Sequence, residues 1–187
     1  MSRVYTIAVS EKVRRVVHLT DQVGTRVDWL EILPPEEMAG LLARELAARG
    51  FSVADGRALR VEPDGVAIEV ELATGRVVLG IAHDRAYEAE GARTGRSERR
   101  DDVALAKRLD RELRTALEDS IARERDEDQT ELTQALEKRL AEVQPELDRV
   151  GTEVTKAALV AKARRLGEVR SVEEDPSTGA VRITVGL

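Results

Sequence analysis

Residues 101–166 read DDVALAKRLDRELRTALEDSIARERDEDQTELTQALEKRLAEVQPELDRVGTEVTKAALVAKARRL. In the first half, Leu105, Leu109, Leu113, Leu117 and Ile121 recur every four residues, the spacing that lines one face of a helix. In the second half, Leu136, Leu140, Val143, Leu147, Val150 and Val154 recur in steps of four and three, the spacing of a coiled-coil seam. Residues 122–131 separate the two series with no large apolar side chain, and Asp128 followed by Glu131 matches a capping box that would start a new helix. The pattern predicts two helices folded back at 123–129 as an antiparallel hairpin, with one unbroken helix as the alternative. Pro145 predicts a kink or restart in the second arm, because it removes a hydrogen bond and crowds the turn before it.

On either side of this arm the period changes to two. Upstream, Tyr5, Ile7 and Val9 fall on one face of a strand, and residues 13–19 continue the pattern. Gly24 suggests a turn over 21–25, and residues 27–33, with Trp29, read as a further strand. Pro35 at a first helical position, with Glu36 and Glu37 behind it, opens a helix whose apolar stripe is Met38, Leu41, Leu42 and Leu46. Gly50 supplies its left-handed cap, and Phe51 is placed to fold back on Leu46. Short strands follow, and Val66, Ile68, Val70 and Leu72 return through Ala73-Thr74-Gly75 to Val77, Leu79 and Ile81 as a hairpin. Residues 83–100 hold five arginines, two glycines and few apolar side chains, the composition of a linker. Downstream of Gly167, residues 169–172 and 181–185 flank Asp175-Pro176-Ser177-Thr178-Gly179, a turn sequence. A lone two-stranded hairpin is marginal in water, so this one is expected to join the amino-terminal sheet.

The fold expected is therefore α+β: a small, mostly antiparallel sheet with one packed helix, and a long helical hairpin inserted before a carboxy-terminal β-hairpin. The expected divisions are a body at 1–84, a linker at 85–100, an arm at 101–167, and the last hairpin at 168–187.

Composition narrows the function classes. The chain has 187 residues and no cysteine, which excludes disulfides, thiolate nucleophiles and cysteine-ligated zinc. A formal net charge of −6 has the wrong sign for binding by phosphate neutralisation, and four aromatic residues give no stacking platform. Nucleic acid is not an expected partner. A contact through the arginines of 85–100 is the one route left to it, and it predicts steep salt dependence. No signal-like or membrane-spanning apolar run is present, so a cytoplasmic protein without membrane contact is expected. The only histidines are His18 and His83, and both are expected to be structural or surface residues, with His83-Asp84 the one candidate acid–base pair. Phosphate loops, dinucleotide fingerprints and activated serines are absent from the sequence. No catalytic, cofactor or metal site is expected.

Charge is patterned along the arm. Residues 118–131 carry seven acids beside Arg123 and Arg125, whereas Lys156, Lys162, Arg164 and Arg165 make the far end basic. Solvated helix faces and the helix dipole account for both. Docking of a basic partner on the acidic stretch, with self-assembly at the basic end, is the competing account.

Two segments carry a family resemblance. Met1-Ser2-Arg3-Val4-Tyr5 through Glu11-Lys12-Val13-Arg14-Arg15-Val16-Val17-His18, and Leu30-Glu31-Ile32-Leu33-Pro34-Pro35-Glu36-Glu37-Met38, resemble a bacterial accessory family. That family is encoded beside an FtsH-like AAA+ ATPase, a MoxR-type ATPase and a von Willebrand A-type protein in so-called ternary systems. The resemblance covers the first 85 residues and contains no catalytic motif. It implies a non-enzymatic partner of ATP-dependent remodelling machinery, acting in conflict or stress response. The expected function is then an accessory protein that docks a protein partner, an AAA+ ATPase on this resemblance, or a second copy of itself. Leu136, Leu140, Val143, Leu147, Val150 and Val154 are the candidate interaction residues. The alternative is a small-molecule sensor or enzyme with a pocket on the body near Trp29 and His83.

Overall fold

Helix α1 (Pro35–Ala48) forms where its punctuation predicts. Gly50 takes φ +83° and donates its N–H to the Ala47 carbonyl, while the Phe51 N–H returns 3.1 Å to the Leu46 carbonyl. That backbone closure ends the helix and buries Phe51 beside Leu46. The protein is seen here as a computed structural model that describes residues 3–174 and 181–186. The expected turn at 175–179 lies outside the described residues.

The remaining elements are strands β1 (Tyr5–Arg26), β2 (Ser52–Ala54), β3 (Arg57–Val61), β4 (Ala67–Glu71) and β5 (Arg76–Ser97), helix α2 (Val103–Leu166), and strands β6 (Glu168–Glu174) and β7 (Val181–Gly186). One sheet runs in the order β1-β5-β4-β3-β2, and β6 pairs with β7 in a second, two-stranded sheet. The chain divides into two compact units, and β1, β5 and α2 contribute to both. The first unit is Met1–Asp21 with Ala82–Gln134, and the second is Gln22–Ile81 with Ala135–Leu187.

In the second unit, Val70 faces Val77 and Ile68 faces Leu79 across the β4–β5 ladder, and Gly75 turns the chain at φ +70°. The apolar face of this hairpin, α1 and the second half of α2 share one core, in which Leu42, Leu46, Ile68, Leu79, Leu136 and Leu147 are fully enclosed. Arg60 on β3 ties sheet to helix, donating through both terminal nitrogens to Glu146 at 2.8 and 2.9 Å while Nε reaches Glu62 at 2.8 Å. Its guanidinium also lies 4.4 Å above the Phe51 ring. Hydrogen bonds from Arg60 hold the Glu146 carboxyl below the usual carboxylate range.

In the first unit, β1 and the distal part of β5 form a ribbon. Lys12 and Arg14 of β1 reach Glu88, while His18 meets Asp84, so the two strands run antiparallel. The first half of α2 lies on one face, with Leu109, Leu113, Leu117 and Ile121 buried beneath it. Small residues on β5 admit those leucines. A methyl at Gly91 would come 3.1 Å from Leu113 Cδ1, and one at Gly95 would come 3.0 Å from Leu109 Cδ1.

Six expectations are corrected. Residues 101–166 do not fold back: α2 is continuous through 123–129. The polar interval finds distant partners in the ribbon, with Asp128 meeting Tyr87 and Arg85, Gln129 donating to the Thr20 carbonyl, and Thr133 donating to Asp21. The start of α2 is set by Asp102, whose Oδ1 accepts the Leu105 N–H at 3.0 Å, and Asp128 is spent on Tyr87 and Arg85. Pro145 interrupts nothing, because it and Ala141, whose carbonyl loses its donor, both sit on the solvent side. Residues 85–97, read as linker, are the distal half of β5. The expected turn at 21–25 is extended strand within β1, and residues 27–33 are not a strand. There the backbone is satisfied by the turn and by α2, the Val27 N–H donating to Gly75 and the Leu30 N–H to Thr155 Oγ1. Finally, β6 and β7 pair with each other and not with the larger sheet.

Candidate interaction surface

The row proposed from its coiled-coil spacing lies inside the second unit's own core. Leu136, Val143, Leu147, Val150 and Val154 are each at most 5% exposed, and Leu140 packs half-buried against them. They meet α1 and the sheet, so the folded chain leaves this row no free apolar face. Surface available to a partner lies elsewhere.

The first unit offers such a surface along β1. Even-numbered side chains of β1 face solvent, and odd-numbered ones turn toward α2. On the solvent side Lys12 lies 2.9 Å from Glu88, and their hydrogen bond raises the amine's pKa and lowers the carboxyl's. Histidine pairing differs from the expected acid–base pair: Asp84 meets His18 Nδ1 at 2.7 Å, and His83 is exposed. The His18–Asp84 contact is itself solvent-exposed on both sides.

On the helix side, β1 is only half-covered. Ile7, Val9, Val13 and Val17 are all intermediate in exposure. Glu11, set among them, accepts two bonds from Arg114 on Oε1, at 2.7 and 3.1 Å, while its buried Oε2 has no partner among the described residues. Arg15 reaches Glu118 at 3.4 Å and remains largely exposed. β1 is the outermost strand, so one backbone edge along its length has no neighbour among the described residues.

Beside it, Tyr87 is buried on β5 and donates 2.7 Å to Asp128 Oδ2, whose Oδ1 accepts from Arg85 at 2.8 Å. Burial and the bond to Asp128 push the phenol up to about 12 from 10.0. A raised folded pKa means stability is complete below pH 10 and is lost as pH rises toward 12. A phenolate absorbance titration is expected to show a late phase near pH 12, accompanied by loss of helical signal. Tyr87→Phe should remove that phase, and a variant that retains it would refute the assignment to Tyr87.

The acidic stretch is only partly open to solvent. Glu118 and Asp128 are engaged with the ribbon, while Asp119, Glu124, Asp126, Glu127 and Glu131 face solvent midway along α2. At the basic end Arg165 pairs with Glu37, and Lys162 and Arg164 are exposed. In the second unit, an open groove of about 450 Å³ is lined by Trp29, Leu30, Leu159 and Val181 with Lys156 and Asp28. No group of three His, Asp or Glu side chains among the described residues is placed to hold a metal ion. No helix of the described residues is long and apolar enough to cross a membrane.

The sequence family described as FtsH ternary system domain X5 matches this chain over residues 1–187. The chain belongs to that family. Membership extends the likeness past the first 85 residues, so the ribbon, α2 and the last two strands all fall within the X5 domain. Among curated proteins and solved structures, none matches the chain. The X5 domain is thus an accessory domain of an FtsH-associated system, which implies protein partners.

Proposed function

We propose that this X5 domain is a non-enzymatic accessory component that docks the FtsH-like AAA+ ATPase of its ternary system in the cytoplasm. The observation that carries the reading is the family match through the whole chain. Under this reading the MoxR-type and von Willebrand A-type proteins complete the assembly.

Docking is to be tested on the full-length chain. Deleting residues 101–166 would remove Leu136 and Leu147 from the core, so loss of binding by that deletion would mean only unfolding. Purified full-length chain should instead be mixed with purified ATPase, with and without ATP, and followed by sedimentation velocity. Co-sedimentation at micromolar protein is expected, and separate boundaries under both nucleotide conditions would refute the ATPase as partner.

The groove beside Trp29 favours a second reading, a small-molecule sensor on the body. Trp29 is the only tryptophan, so its fluorescence in the same samples reports on that groove directly. A metabolite that shifts this emission and raises the melting temperature would favour the sensor.

A further inference from the structure

The free edge of β1 is self-complementary. Taken along its helix-side face, the strand reads Val9, Glu11, Val13, Arg15, Val17 at alternate positions. Reversing the order gives an apolar residue for each apolar residue, and an acid for the base. In an antiparallel pair centred on Val13, Glu11 of each copy lies opposite Arg15 of the other, Val9 opposite Val17, and Val13 opposite itself. Sliding the pairing by two residues either way sets Glu11 and Arg15 against valines, so only this register joins the charges.

We propose that two copies of this chain associate about a two-fold axis through Val13, pairing their β1 edges into one antiparallel sheet.

Three further observations support that occupant. The buried Glu11 Oε2 has no partner among the described residues, and an opposing Arg15 guanidinium, which Glu118 meets at 3.4 Å, supplies one. Directly opposed residues in such a pair have Cβ atoms roughly 5 Å apart, within reach of that contact. The half-covered row of Val9, Val13 and Val17 would be closed by the same row of the other copy. Continuous pairing covers Tyr5 to Asp21, and residue 22 is where the second unit begins.

Spacing agrees with the same arrangement. Each α2 contacts both strands of its ribbon, Arg114 reaching Glu11 on β1 and Glu112 reaching Arg93 on β5. Two ribbons joined edge to edge are offset by two strand spacings, about 9.5 Å. Helices pack at about 8–10 Å, so the two copies of α2 would meet side by side over the seam. On the solvent face Lys12 faces Arg14 of the other copy, with Glu88 of each ribbon beside them. Association of this kind is separate from ATPase docking, and the chain alone tests it.

Sedimentation equilibrium of the full chain should give a dimer at micromolar concentration. Val13→Glu and Val13→Lys each place like charges on the axis and should raise the dissociation constant at least about tenfold. Mixed in equal amounts, the two variants should dimerise again as a heterodimer. Arg15→Glu, at a largely exposed position, should weaken the dimer by a similar factor. A monomeric wild type, a dimer unaffected by Arg15→Glu, or failure of the mixed Val13 variants to re-associate would each overturn the proposal.

Discussion

Gly151→Ala is expected to cost at least about 3 kcal/mol of stability, although the same change in an ordinary helix interior stabilises by about 1 kcal/mol. Propensity and packing oppose one another at this site, and packing decides the sign. Gly151 lies inside the second half of α2, where the loop after β1 crosses the helix with its backbone in contact. A Cβ there would be driven into the Asp28 carbonyl oxygen and would also press on Val27. Neither group can yield cheaply: Val27 is 1% exposed and anchored by its N–H to Gly75, and the next loop residues lead to the Leu30 bond with Thr155. A melting temperature lowered by roughly 6–12 °C is the expected readout. Unchanged or raised stability would show that the crossing is looser than described.

Leu147→Ala carries the second large effect. Leu147 is 1% exposed in the shared core of the second unit, so truncation leaves a cavity and should cost about 2–5 kcal/mol. A seam that served a partner chain would behave differently, with stability little changed and self-association lost. Chemical denaturation and sedimentation on one sample separate the two. Falling stability with unchanged association of the folded fraction is expected. The reverse pattern would restore the seam of 136–154 as an interaction surface.

That contrast shows where the sequence stops being informative. Steps of four and three along 136–154 say that one helix face is apolar, and they carry nothing about what covers it. Here the cover comes from α1 and the hairpin around Gly75, far away in sequence. Local punctuation was legible in part: Pro35, Gly50 and Gly75 each mark a feature that a single residue's backbone chemistry decides, whereas Gly24 and Pro145 mark no break. The distal half of β5 was hidden because its helix-side face, Tyr87 and Arg93 aside, is small: Gly91 and Gly95 leave the room that seats the leucines of α2. Its apolar contribution is space, which no hydropathy pattern displays. Continuity of α2 was hidden for a related reason. Residues 122–131 look like a break because their partners are polar groups on β1 and β5, reached only when the ribbon is folded. For the candidate surface, the alternation of β1 was visible from the first strand residues, while the unmatched Glu11 oxygen needed the neighbouring Arg114 to be placed.

Docking of the ternary system's ATPase is the central claim. Its most direct test is affinity capture from the native host, using the full-length chain as bait, with and without ATP, and identifying what is retained by mass spectrometry. The account predicts enrichment of the FtsH-like ATPase over an unrelated acidic bait of similar size, sensitive to nucleotide. Recovery of neither that ATPase nor the MoxR-type protein under either condition would contradict it, and would turn attention to the groove beside Trp29.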